Sequence, residues 1–136
     1  MNNRHKWRHN VYLKLQNMDT VINLEFIRSV VFELPGVTEK PCYSTPGFYV
    51  NKKLFARMKE DCETLVIQTL EREKWIDTDP DTFFVTDHYL NYDYMLVALK
   101  TVKPEDLEKL LYTAWYSRAP KKLVEGYDKP DGADPV

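Results

Sequence analysis

The stretch FYVNKKLFARMKEDCETLVIQ, residues 48–68, decides the fold. Phe48-Tyr49-Val50 and Leu54-Phe55-Ala56-Arg57-Met58-Lys59 flank Asn51-Lys52-Lys53, a tight hairpin in which Asn tolerates positive φ. Glu60-Asp61-Cys62 supplies a second turn before Thr64-Leu65-Val66-Ile67-Gln68. Strands joined by such short turns pair antiparallel. Strict two-residue alternation in the middle strand sends Leu54, Ala56 and Met58 to the core. It sends Phe55, Arg57 and Lys59 to the other face.

Working outward, an antiparallel sheet is expected from Tyr43 to Leu99 between two helices. Leu24, Ile27, Val30, Val31 and Leu34 recur at helical spacing after Asn23, whose side chain can accept from an amide of the first turn. Pro35-Gly36 closes that helix. Lys103-Pro104 opens the last one, with Leu107, Leu110, Leu111, Ala114 and Trp115 as its buried stripe. Between the helices, residues 71–76 read as one or two helical turns, Thr82-Phe83-Phe84-Val85-Thr86 as a buried edge or an irregular strand, and 87–93 as a polar aromatic loop. Tyr94 to Leu99 is apolar enough for a central strand covered on both faces. The fold class is therefore α+β: a two-layer domain, an antiparallel sheet with helices packed mainly on one face.

Length and charge set the boundaries. The chain has 136 residues and a net charge of −2, enough for one domain without a disulfide or metal staple. Four of its 19 basic residues, and none of its 21 acidic ones, lie in residues 1–17, which leaves the remainder at −6. The expected organisation is a basic arm at 1–17, a folded domain at 18–124 and a flexible tail at 125–136 that is rich in Asp, Pro and Gly. Two sparse cysteines, Cys42 and Cys62, and no apolar run of spanning length point to a cytoplasmic protein with no membrane association.

Several segments in this order resemble the MmcQ/YjbR-like family of small bacterial proteins. They are Leu34-Pro35-Gly36-Val37-Thr38-Glu39, Pro46-Gly47-Phe48-Tyr49-Val50 with Lys53-Leu54-Phe55-Ala56, Asp79 to Tyr89, Tyr94 to Leu99, and Ala119-Pro120-Lys121. The resemblance spans about residues 22 to 124. It implies a two-layer α+β fold and a double-winged module proposed to bind DNA. After Glu39 the chain departs from the family pattern, with Lys40-Pro41-Cys42-Tyr43-Ser44 where a His-Pro-like polar stretch is common.

Two candidate sites follow. The first is the outer sheet face, where Tyr49, Phe55, Arg57 and Lys59, with Lys52 and Lys53 at the hairpin tip, combine aromatic area with positive charge. Such a surface fits DNA, or equally a protein partner or a second copy of the chain. The acidic average of the domain weighs against a general polyanion binder. The second is the loop carrying His88, Tyr89 and Tyr92. His88 reads either as a hydrogen-bonded histidine at a strand end or as a proton shuttle or recognition donor in a small-molecule or enzymatic pocket. No nucleophile adjoins it, no zinc or EF-hand spacing is present, and the four glycines lie too far apart for a phosphate loop. The expectation is a non-enzymatic binding module without catalytic residues, metal or cofactor.

Overall fold

A computed structural model describes residues 22–127. The segments expected at 1–17 and beyond 127 lie outside the described residues. The order is α1 (Leu24–Val31), β1 (Val37–Cys42), β2 (Thr45–Val50), β3 (Lys53–Met58), β4 (Thr64–Gln68), α2 (Arg72–Thr78), β5 (Phe83–Phe84), β6 (Tyr94–Ala98), α3 (Pro104–Arg118) and α4 (Lys121–Glu125). A single 3-10 turn, Asp87–Tyr89, precedes β6. The six strands form one antiparallel sheet in the order β1-β2-β3-β4-β6-β5. This is the two-layer α+β arrangement expected.

Local chemistry sets each boundary. Asn23 Oδ1 accepts from the Phe26 amide at 3.2 Å and starts α1. The helix turns off after Val31, and Gly36 takes φ +75°, the left-handed region in which a side chain is strained. Pro104 occupies the first turn of α3, where an N–H has no intrahelical partner in any case. The core lies between α1, α3 and one face of the sheet, and Ile27, Val31, Leu107, Leu111 and Trp115 meet Phe48, Leu65, Ile67 and Val97 there.

The expected start of the sheet needs correction. The sheet begins at Val37 rather than Tyr43. β1 was hidden by its composition, VTEKPC, with charges and a proline that suit a half-exposed edge strand. Residues 82–86 pair only at Phe83 and Phe84, an irregular strand at the far edge of the sheet as expected. At the other end of the described residues α4 runs to Glu125, and Tyr127 is buried, its ring stacked on Tyr112 at 5.9 Å and edge-on to Trp115 at 5.3 Å.

The most consequential correction is in β3. Phe48 pairs with Ala56 but Tyr49 pairs with Leu54, so Phe55 is an extra residue, a β-bulge. Phe55 and Ala56 therefore both enter the helix-covered core. Leu54 goes the other way: its Cδ1 would stand 3.2 Å from a Cβ built on Gly47. Phe55 is fully buried and leaves the outer face on which alternation placed it, and Leu54 leaves the core.

Candidate functional site

Cross-strand partners in an antiparallel sheet share a face. The pairs Lys40–Gly47, Gly47–Arg57, Arg57–Val66 and Val66–Leu96 thus define one row on the face opposite α1 and α3. Thr38, Tyr49 and Leu54 form the neighbouring row. Gly47 is the gap in the first row, and a Cβ there would meet Cys42 Cβ at 2.8 Å and the Lys40 carbonyl at 3.2 Å.

Arg57 is the centre of this face and is almost wholly buried, its side chain 8% exposed. The guanidinium Nε donates to the Tyr89 hydroxyl at 3.2 Å, while Nη1 donates to Thr45 Oγ1 at 3.0 Å and to the Met58 carbonyl at 3.2 Å. Its nearest carboxylate, Glu60, stands 3.8 Å away and is mostly exposed. A buried cation normally sits against a buried anion; Arg57 instead has phenol, hydroxyl and carbonyl oxygens. Desolvation pulls its pKa down, but the Tyr89 contact and Glu60 outweigh it, and the net displacement is upward.

Tyr43 covers the guanidinium, its ring centroid 5.3 Å from Cζ. Tyr43 and Ser44 form the β1–β2 turn with φ of 52° and 67°. These are values for a type I′ hairpin turn, in which Asn-Gly is the favoured pair. Two ordinary L-residues in that region cost about 1–2 kcal/mol each. The strained turn holds Tyr43 at 76% exposure. Asn51-Lys52, at φ 52° and 64°, makes the β2–β3 turn in the same way, with Lys53 already in β3.

Tyrosines extend the face. Lys40 Nζ lies 5.5 Å from the centroid of the Tyr49 ring. Burial pushes the Tyr49 phenol above its ordinary pKa, helped by a hydrogen bond with Cys42. The Tyr94 hydroxyl donates to the Leu54 carbonyl at 3.3 Å, and its ring is 5.9 Å from that of Tyr89. Arg72, from α2, fixes the loop that carries Tyr89. Nη1 donates to the carbonyls of Tyr89, Tyr92 and Tyr94 at 3.3, 2.9 and 3.0 Å, and Nη2 donates to that of Leu90 at 3.1 Å.

The two candidate sites of the sequence are therefore one. Tyr49, Arg57 and Tyr89 converge on the outer face, and exposed His88 stands edge-on to Tyr89 with ring centroids 4.6 Å apart. Lys59 is half-buried at the end of β3, and Lys52 is exposed at the hairpin tip. Lys53 is exposed too but pairs with Val50, a core residue, so it leaves the strand on the helix side. Tyr92 is exposed, its carbonyl held by Arg72. Lys40, Tyr43, Thr45 and Arg72 were missed. The β1 register would have found the first, whereas nothing in the local sequence marks the others. Among the described residues no three His, Cys, Asp or Glu side chains gather as metal ligands, and no helix is long and apolar enough to cross a membrane.

Known proteins share this framework. The crystal structure of Deinococcus radiodurans protein DR2400, with family-model domain DUF419, superposes with a TM-score of 0.67 over 88% of this chain and all of that one, at 22% identity. That likeness is one of fold. Uncharacterised proteins Rv2570 of Mycobacterium tuberculosis (strain H37Rv) and Mb2600 of Mycobacterium bovis are each 38% identical to the chain over 52 residues. The match spans 38% of this chain and 40% of the length of each relative. The YjbR family model matches residues 32–117, from the end of α1 to the end of α3. On that match the chain belongs to the YjbR family.

Proposed function

We propose that the protein is a non-enzymatic nucleic-acid-binding module that takes DNA on the outer face of its sheet. The observation that carries this reading is the placement of Lys40, Tyr43, Tyr49 and Lys52 on or beside one face around the buried cation Arg57. Tyrosine rings offer stacking surfaces for bases, and the flanking lysines neutralise phosphates. Arg28, by contrast, is already matched to Glu39 by two bonds of 2.8 and 2.7 Å, which removes that charge pair from recognition. Phe55, buried in the core, takes no part.

Self-association through the free edge of the sheet is the weaker alternative. β1 presents Lys40 and Pro41, residues that discourage strand pairing at an edge. A salt-titrated binding assay on the full chain with single-stranded and duplex DNA tests the reading. Binding should weaken linearly in log salt, and Lys40→Gln or Lys52→Gln should each flatten the slope by about 0.7–0.9. Absence of binding by the unmodified protein at low salt would overturn it.

A further inference from the structure

We propose that the pocket at Arg57 takes a phosphate monoester, the terminal phosphate of a nucleic-acid strand. This rests on the nucleic-acid reading for the carrier of the phosphate, and the site itself, the guanidinium with Lys40 and Tyr43 around it, stands on separate observations. Arg57 is a buried cation with no buried carboxylate partner, and its Nη2 donates to no described atom. The two bonds from Nη1 and the one from Nε orient the plane and leave the Nη2 edge as its open donor. A guanidinium held in this way is arranged for the oxygens of an oxyanion.

A second cation completes the site. Lys40 lies in the same cross-strand row as Arg57, separated from it only by Gly47, which adds no side chain of its own and leaves a low floor bounded by Cys42 and Leu54 between them. Two strand spacings, about 10 Å, separate their backbones. Both side chains are long enough to meet over an ion between them. Two positive charges match a dianion, which a terminal phosphate approaches near neutral pH and an internal phosphodiester does not.

The roof supplies the selection. Tyr43 covers the guanidinium from a turn held at positive φ, and only 8% of the Arg57 side chain reaches solvent. An internal phosphodiester carries sugar on both sides and cannot dip beneath that ring. A terminal phosphate carries sugar on one side only, so its free oxygens enter while the last base remains outside against Tyr43 or Tyr49.

The test follows the Arg57 Nε–H resonance of the full chain by NMR during titration with inorganic phosphate. It also compares the affinities of 5′-phosphorylated and 5′-hydroxyl oligonucleotides of one sequence. The expected result is a saturable shift at Arg57 and about tenfold tighter binding of the phosphorylated strand. Arg57→Lys should abolish that preference, and Tyr43→Ala should reduce it by admitting internal phosphates. No shift with phosphate and equal affinities for the two strands would overturn the pocket, even where both strands bind and the nucleic-acid reading stands. A shift with phosphate but no binding of either strand would keep the pocket and remove the nucleic-acid reading. Because the titration uses the unmodified chain, it decides the matter even if Arg57→Lys fails to fold.

Discussion

The Trp115 indole N–H donates to the Pro35 carbonyl at 2.8 Å, joining two residues eighty positions apart in the chain. The bond ties the C-terminal turn of the last long helix to the turn that leaves α1. Trp115 is also fully buried, so the ring fills the core while its one polar atom is satisfied. Trp115→Phe keeps most of the apolar volume but strands the carbonyl and leaves a small cavity. The expected loss is about 2–3 kcal/mol, read as a lower urea midpoint at unchanged m-value.

Gly47 is a site of close approach. Gly47→Ala would press a methyl group against Cys42 Cβ at 2.8 Å and the Lys40 carbonyl at 3.2 Å, both on the backbone or next to it. Neither can swing away, and a cost of about 1–3 kcal/mol is expected in equilibrium unfolding. Gly126→Ala is the control: nothing lies within 4 Å of a Cβ there, and the change should stay within about 0.5 kcal/mol.

Arg72 holds four carbonyls of the 89–94 segment, and its removal should act locally. In Arg72→Ala, hydrogen exchange at the Leu90 and Tyr92 amides should accelerate by roughly tenfold or more, reflecting loss of charge-assisted bonds. Exchange in β3 and β4 should be unchanged. Uniform acceleration across the sheet would show that the clamp supports the whole domain instead.

The turn after β3 carries a pH dependence. Asp61 is pushed up by desolvation, but bonds from the Glu63 amide, the Thr64 hydroxyl and the Thr64 amide outweigh this and lower its pKa. A carboxylate whose folded pKa is depressed contributes stability that is fully present above the unfolded value of about 3.9 and is lost as pH falls through the folded value. Asp61→Asn should lower stability near pH 7 and have a smaller effect below about pH 3. Urea unfolding of both proteins at the two pH values checks it. Equal differences at both would assign the effect to hydrogen-bond geometry rather than charge.

The two helices flanking the sheet were legible because their signals are local. Asn23, Pro104 and the apolar stripe through Trp115 each act within a few residues of themselves. The turn at Asn51-Lys52 was legible for the same reason. What escaped depended on distant neighbours. β1 is a strand only because β2 pairs with it, and its own residues favour solvent. Tyr43 and Ser44 have poor chemistry for the turn they make, so pairing of the strands on either side imposes it. Arg57 was recognised as a cation on the outer face, yet its burial depends on Tyr43 and on Tyr89, thirty-two residues further on. Arg72 offered no cue at all, because its partners are main-chain carbonyls.

The extra residue in β3 changes how this strand should be counted. Leu54 and Arg57 are three positions apart, an odd interval, yet they share a side of the sheet because Phe55 is absorbed by the bulge. Parity along the chain is thus reset at one point. A relative one residue shorter between these positions would keep the same pattern of sides with a regular strand. A relative of equal length without the irregularity would turn its Leu54 equivalent inward and its Lys53 equivalent outward. Spacing, more than residue identity, therefore decides which relatives carry the same surface, and alignments of this region should place Phe55 in a column of its own.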